Sequence, residues 1–207
     1  MMRPRTGNPE PMSGESFAAI RTTLKKAAAL LRDAEVPFAL GGGLAAWARG
    51  GPESDHDLDL MVKPEDAERA LEVLAEAGLR PERPPEDWLL KAFGENGVLV
   101  DLIFRPASGP ITDAVLARGD DLEVCAVRMR VMALEDVLVT RLLALNEQHL
   151  DYKGPLATAR ALREQIDWGE VFDRTRESPY ARGFFALLGE LEIVDGIVLT
   201  RSGREGA

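Results

Sequence analysis

The stretch from Ser54 to Leu60 has the sequence Ser-Asp-His-Asp-Leu-Asp-Leu, and it predicts the centre of the fold. Side chains alternate between the two faces of a β-strand, so Asp57 and Asp59 point to one face and the leucines to the other. Two unit charges about 4 Å apart repel by about 4 kcal/mol at an effective dielectric near 20. The pair therefore requires a proton or a cation, and Mg²⁺ prefers such carboxylate oxygens.

A third carboxylate lies in an apolar stretch further along the chain. Asp101 is the one charged residue of residues 98–104, where a core position is expected. Burying a lone carboxylate is expensive, so we expect Asp101 to meet a partner or a metal. If the two strands are neighbours, Asp57, Asp59 and Asp101 form a triad able to hold two metal ions. Such a site can activate a hydroxyl group and stabilise a leaving phosphate.

A run of glycines precedes the aspartates. Gly41, Gly42 and Gly43 follow a predicted strand over residues 38–40 and precede a short helix, which Gly-Gly-Pro at residues 50–52 ends. Glycines allow a phosphate to approach backbone N–H groups, and a helix N-terminus favours negative charge. The Ser54 hydroxyl is a further candidate donor to a phosphate.

In this order, the motifs resemble the nucleotidyltransferase superfamily related to DNA polymerase beta. The resemblance covers residues 36–105 and consists of a glycine pair, an Asp-x-Asp pair and a third Asp on a later strand. It implies that Asp57 and Asp59 bind two Mg²⁺ ions and that Asp101 completes this metal site and assists deprotonation of the acceptor hydroxyl. It also implies that Gly42 and Gly43 hold the triphosphate.

The second half resembles the helical part of small bacterial members of this superfamily, of the toxin, abortive-infection or antibiotic-modifying type. One helix of these proteins often carries a Lys that faces the triphosphate, and the matching position in residues 139–145 is Arg141. Arginine keeps the charge and changes the geometry, so Arg141 is a predicted nucleotide-binding residue. Residues 149–153 do not clearly match the charged residues that follow this helix in the toxins.

The predicted fold class is α/β (α+β), a small mixed sheet flanked by helices with a mostly helical C-terminal part. We divide the chain into a flexible arm (1–15), a nucleotidyltransferase core (16–110), a mostly helical part (111–200) and a tail (201–207). An Asn-Gly pair at residues 96–97 predicts a hairpin between strands at 88–93 and 98–104, and a strand is possible near 122–129. Periodic apolar residues predict helices that begin at Ser16, Pro64, Leu134, Ala157 and Tyr180.

Composition limits the class of protein and its partners. The 207 residues are 45% hydrophobic and 29% charged, as in ordinary soluble globular proteins. The net charge of -10 argues against general binding to nucleic acid or an anionic membrane. Cys125 is the single cysteine, which excludes an intrachain disulfide, and no apolar run reaches the ~20 residues of a membrane span. These features predict a cytoplasmic protein.

The function predicted from the sequence is Mg²⁺-dependent transfer of a nucleoside monophosphate from a nucleoside triphosphate to an acceptor hydroxyl, with release of pyrophosphate. The acceptor is a small molecule, a protein or a tRNA, and the acidic charge favours the first two. The alternative is a catalytically silent member that binds a nucleotide or a partner, as an antitoxin does. The sequence leaves the oligomeric state open.

The same glycines and aspartates have other possible interpretations. A dinucleotide-binding site is disfavoured because the helix after the glycines ends too early for a Rossmann unit. A calcium loop fails because Leu60 stands where the loop requires Gly. A glycosyltransferase Asp-x-Asp site remains open, although it explains neither the glycines nor Asp101. A solvated acidic turn beside a core strand also remains open.

Overall fold

The computed structural model describes residues 14–53, 57–94 and 97–194. Its strands are β1 (Phe38–Leu40), β2 (Asp57–Val62), β3 (Arg80–Glu82), β4 (Leu89–Phe93), β5 (Leu99–Ile103), β6 (Asp120–Val124) and β7 (Val127–Val131). Its α-helices are α1 (Gly14–Asp33), α2 (Gly42–Ala48), α3 (Ala67–Glu76), α4 (Asp113–Arg118), α5 (Leu134–Leu143), α6 (Lys153–Leu162), α7 (Trp168–Thr175) and α8 (Pro179–Glu190).

The strands form one mixed sheet in the order β3-β4-β5-β2-β1-β7-β6. The pairs β2–β5 and β1–β7 are parallel, and the other neighbours are antiparallel. The predicted α/β class with a mixed sheet is confirmed. The strand pair expected around the Asn-Gly turn is the antiparallel pair β4–β5, and Asn96 itself lies outside the described residues. The possible strand near residues 122–129 is the hairpin β6–β7, which adds to the same sheet.

The predicted helices mostly agree with the structure, since burial follows the periodic apolar residues. Ile20, Leu24 and Leu31 of α1 are buried against the sheet and α3. The start of α3, predicted at Pro64, was wrong. Residues 64–66 form a turn, and α3 begins at Ala67 with Asp66 as its N-cap. Pro64 fits a turn as well as it fits a first helical position, so local sequence does not separate the two.

The helices after β7 enclose a second apolar cluster around α5, which packs against α2, α6, α7 and α8. Helix α7 was missed by the sequence analysis. The helix has only eight residues, so its apolar periodicity is short. Asp167 caps it by accepting a hydrogen bond from the Glu170 backbone N–H at 3.0 Å, and Trp168 and Val171 are buried. No helix in the described part of the chain is both long and apolar enough to cross a membrane.

A buried ion-pair network joins α4, α5 and α7. The Asp136 side chain is 2% exposed and accepts hydrogen bonds from Arg118 Nε and Nη2, at 2.8 and 2.7 Å, and from Arg174 Nη2. Burial alone raises the pKa of Asp136, but the hydrogen bonds from Arg118 and then Arg174 outweigh it and hold the pKa below its usual value. The ionised carboxylate therefore stabilises the contacts of α5 with α4 and α7.

Substitution Asp136→Asn is expected to lower the free energy of unfolding by about 2 kcal/mol near neutral pH, because two arginines lose their charged partner. A lowered pKa stabilises the fold above the unfolded-state pKa of Asp, about 3.9, and this stabilisation is lost as the pH falls through the folded pKa. The difference between the two proteins in urea unfolding should therefore shrink at acidic pH. Glu170→Gln, which removes an exposed partner of Arg174, should cost less than 1 kcal/mol. An equal effect of both substitutions would contradict this role of Asp136.

Candidate active site

The strand register brings two of the predicted aspartates side by side. Asp59 in β2 and Asp101 in β5 are directly paired residues of neighbouring parallel strands. The predicted proximity of the two strands is confirmed. Asp57 lies two residues before Asp59 on the same face and is exposed. Within the described ranges, no set of three or more His, Cys, Asp or Glu side chains is already arranged around a metal position.

The paired carboxylates lie in an unfavourable environment for negative charge. The pKa of Asp59 is raised to about 7, mainly by burial and then by the negative charges of Asp101 and Asp57, while the positive charge of Arg141 opposes the rise. Burial also raises the pKa of Asp101, where Lys91 opposes the rise and the Asp57 charge adds to it. Burial and mutual repulsion therefore disfavour the ionised form of both carboxylates, and a bound cation would offset both effects.

One oxygen of this cluster has no hydrogen-bond partner. Asp101 Oδ1 is buried and accepts no hydrogen bond from the described residues. Lys91 Nζ is 3.6 Å from it, outside hydrogen-bonding distance, although Lys91 is the residue paired with Asp101 in the antiparallel pair β4–β5. Buried oxygens of this kind are rare in folded proteins, and a role as a metal ligand would explain this one.

The glycine turn contacts the aspartates directly. The Gly41 N–H donates a hydrogen bond of 2.8 Å to the Asp59 carbonyl oxygen, which fixes the turn to β2. Gly42 has a φ of +55°, and a Cβ at this position would collide with the Asp59 carboxylate. Gly42 is therefore required both by its backbone conformation and by the space that its neighbour occupies. Gly43 follows as the second residue of α2.

Arg141 approaches the same carboxylates from α5. Its side chain is largely buried, and burial lowers its pKa while the charges of Asp59 and Asp151 raise it. A guanidinium group stays protonated in proteins. Among residues 14–53, 57–94 and 97–194, no hydrogen bond or ion pair engages this guanidinium group. A buried cation without a partner is suited to an incoming anion.

A cavity of about 680 Å³ joins these groups between the sheet and α5. Gly42, Asp59 and Arg141 line it together, as do Asn146 and His149 beyond the end of the helix. The Asn146 side-chain oxygen accepts a 3.1 Å hydrogen bond from the His149 backbone N–H. The predicted residue Ser54 lies outside the described residues.

Sequence comparison assigns the family. A profile of a family described as uncharacterised nucleotidyltransferase matches residues 17–191, most of the chain. The chain belongs to this family. The predicted superfamily is confirmed, and the protein is an enzyme that transfers nucleotidyl groups. A search of curated protein sequences gives no match.

Solved structures share the fold of this nucleotidyltransferase at low sequence identity. ANT(2")-Ia in complex with adenylyl-2"-tobramycin is 15% identical, with a TM-score of 0.60 over 80% of this chain and 98% of that one. JHP933 from Helicobacter pylori is 12% identical, with a TM-score of 0.53 over 88% of this chain and 81% of that one. TM1012 from Thermotoga maritima, a putative nucleotidyltransferase by its own description, is 17% identical, with a TM-score of 0.50 over 74% of this chain and 94% of that one.

The sequence analysis of this nucleotidyltransferase missed several groups that lie near the carboxylates. Lys91 had a local signal, because a lysine within the apolar strand Leu-Leu-Lys-Ala-Phe needs a partner. No local signal marks Trp88, Arg105 or Asn146 as a site residue, since each lies near the end of an element and reaches the cavity only through the tertiary fold.

Proposed function

We propose that this enzyme transfers a nucleoside monophosphate from a nucleoside triphosphate to a hydroxyl group of a small molecule, releases pyrophosphate and uses Mg²⁺ as its cofactor. The observation that carries the proposal is the convergence of Gly42, Asp59 and Arg141 in one cavity. Glycine backbone, carboxylates and a guanidinium group that has no partner among the described residues are together suited to a triphosphate bound with a metal ion.

The metal is proposed to bind to Asp57, Asp59 and Asp101, as two ions. Two observations support the fit: Asp101 Oδ1 is buried and accepts no hydrogen bond from the described residues, and burial and the neighbouring carboxylates raise the pKa of Asp59 to about 7. Carboxylate oxygens are the ligands that Mg²⁺ prefers. When bound, Mg²⁺ would neutralise charge on the phosphates and make the acceptor hydroxyl easier to deprotonate.

We assign the remaining roles to residues of the chain. The backbone at Gly42 and Gly43, the Ser54 hydroxyl and the Arg141 guanidinium group bind phosphate oxygens. The acceptor oxygen forms a bond to the α-phosphorus, and the bond from that phosphorus to the oxygen bridging to the β-phosphate breaks. Pyrophosphate leaves with the electron pair of that bond. The hydroxyl proton passes to the carboxylate of Asp101.

Three observations favour a small-molecule acceptor, and a fourth favours the cytoplasm. A cavity of about 680 Å³ is in the range that holds drug-sized ligands. The net charge of -10 opposes a broad contact with RNA. ANT(2")-Ia, which shares the fold, was solved with adenylyl-2"-tobramycin, a nucleotidylated small molecule. The single cysteine, Cys125, is consistent with a reducing compartment.

The test is transfer of label from each of four α-³²P nucleoside triphosphates to a panel of hydroxylated small molecules in the presence of Mg²⁺. We expect a labelled product and one pyrophosphate per transfer, and chelation of the metal should abolish both. Triphosphate binding without pyrophosphate release across the panel and a cell extract would instead support the catalytically silent alternative. A labelled protein or tRNA in the extract would replace the small-molecule acceptor.

Arg141→Ala is expected to raise the KM for the triphosphate by about 10- to 100-fold, because a charge-assisted hydrogen bond contributes about 1.5 to 3 kcal/mol. Arg141→Lys should recover part of this loss, since it keeps the charge without the planar donor geometry. Steady-state kinetics with the triphosphate varied measures both effects. Arg69→Ala, at an exposed position of α3, is the matched control and should leave KM unchanged. An unchanged KM in Arg141→Ala would remove this residue from the site.

A further inference from the structure

Trp88 is an exposed indole in the wall of the cavity. Its side chain is 40% exposed, and of the three large apolar residues exposed in the described chain, Trp88, Leu150 and Leu191, it alone lines the cavity. Burial of a large aromatic surface is favourable, so an indole left open in a ligand-sized cavity is suited to contact with a bound molecule.

The position of Trp88 separates it from the proposed phosphate site. Asp59 lies on β2, and Gly42 follows β1 on one side of that strand, whereas Trp88 precedes β4 on the other side. Strands β2 and β4 are two strand spacings apart, a distance of about 10 Å. Asp101 lies on β5, between them. Trp88 and Asp101 therefore lie on the same side of β2, and Gly42 lies on the other side.

The backbone holds Trp88 rigidly at this place. Its carbonyl oxygen accepts hydrogen bonds from the backbone N–H groups of Phe104 at 3.0 Å and Arg105 at 3.2 Å. The floor of the cavity here is apolar, formed by Met61 and Ile103, which are paired residues of β2 and β5 and are both buried. An indole whose main chain is held in place, in a cavity that Met61 and Ile103 also line, is suited to packing against an apolar ring face.

The charge at this end is balanced. Asp87 and Arg105 are the two charged groups of the cavity beside Trp88, one of each sign. The proposed metal ions would use the charges of Asp59 and Asp101. An indole face also attracts cations, but the positive charge of Arg105 in the lining of the same cavity opposes them. This end of the cavity therefore has no excess of carboxylates that would bind a polycationic acceptor.

Building on the proposed nucleotidyl transfer, we propose that the acceptor is an uncharged hydroxylated ring compound whose apolar C–H face packs on the Trp88 indole. Its hydroxyl group then extends towards Asp101 on β5, which is one strand spacing from β4 and one from β2. Trp88 is a specificity-determining residue in this arrangement, and Arg105 excludes cationic analogues.

The binding experiment uses a panel of neutral phenyl glycosides of glucose, galactose and ribose, together with the matched 2-amino-2-deoxy glucoside, which carries one positive charge. Calorimetry is performed with Mg²⁺ and a non-hydrolysable triphosphate analogue bound. We expect at least one neutral probe to bind, and its amino counterpart to bind at least about fivefold more weakly. Failure of every neutral probe, or preference for the amino sugar, would overturn the proposal.

Variants of Trp88 test the contact itself. Trp88→Ala should weaken the binding neutral probe by about tenfold and Trp88→Phe by less, since a ring is kept. Affinity for the triphosphate analogue should be unchanged within twofold in both. Leu150→Ala, exposed and outside the cavity lining, is the matched control and should change neither affinity. Loss of affinity for the triphosphate analogue in Trp88→Ala would mean that the indole contacts the nucleotide base, and it would overturn the proposal.

Arg105→Glu tests the charge argument independently of the indole. This exposed residue becomes acidic beside Asp87, so the amino sugar should gain at least about fivefold in affinity while the neutral probe is little affected. No gain would overturn the role of Arg105. The triphosphate analogue separates the two proposals: absence of its Mg²⁺-dependent binding contradicts the proposed function, whereas its binding with no effect of Trp88 contradicts only this inference.

Discussion

Replacement of Asp59 by asparagine is expected to lower kcat for nucleotidyl transfer by at least about a thousandfold, which corresponds to about 4 kcal/mol of transition-state stabilisation. Asp59 is the carboxylate that lies against Gly42, pairs with Asp101 across β2 and β5, and lines the cavity with Arg141. The amide keeps the shape but not the charge that holds a hard cation. Single-turnover transfer at saturating triphosphate measures the loss.

The same substitution should stabilise the metal-free protein. The wild-type site has two adjacent, partly buried carboxylates, and Asp59→Asn removes one of these charges. We expect the metal-free variant to melt a few degrees above the metal-free wild type. Mg²⁺ should raise the melting temperature of the variant less than that of the wild type. Asp173→Asn, at an exposed position of α7, should change neither activity nor melting temperature. Near-normal transfer by Asp59→Asn would contradict the assigned site.

Gly42→Ala should lower kcat by at least about a hundredfold, although it adds a single methyl group. The φ of +55° is unfavourable for alanine, and the added Cβ would collide with the Asp59 carboxylate. Either the turn or the carboxylate must move, and a displacement of about 1 Å in a catalytic group is enough to cost about a hundredfold in rate. We also expect a loss of at least 1 kcal/mol in the free energy of unfolding.

Gly50→Ala separates these two effects. Gly50 also has a left-handed backbone, with φ of +90°, but a Cβ there meets nothing within 4 Å. This control should lose about 1 kcal/mol of stability and keep its activity. Equal activities of Gly42→Ala and Gly50→Ala, measured on protein shown to be folded by its circular dichroism, would mean that the contact between Gly42 and Asp59 is not needed for transfer.

Much of the sheet was predictable because its signals are local. The alternation at residues 57–60, the glycines after β1 and the single charge in β5 each depend on a few neighbouring residues. The hairpin around residues 96–97 and the periodic apolar positions of α1 and α5 are signals of the same kind. The predicted class and the proximity of β2 and β5 are accordingly confirmed. The site roles and the domain division remain predictions.

Other features were not predictable from local patterns. Pro64 fits both a turn and a helix start, so the first turn of α3 was misplaced. Helix α7 has only a short apolar stripe, and its cap became recognisable once its packing was known. The network of Asp136 with Arg118 and Arg174 joins residues up to 38 positions apart, and no sequence spacing predicts such a contact.

The sequence by itself determined which chemical groups the protein has and in what order: glycines, an Asp-x-Asp pair, a third aspartate and a helix with Arg141. Period-two alternation and helical periodicity follow from backbone geometry, so these features did not need a structure. Only the tertiary structure decided that Asp59 meets Asp101 in register, that Gly42 lies against that carboxylate, and that Trp88 and Arg105 share its cavity. Strand order and register depend on contacts between distant residues, and those contacts form only when the whole core packs.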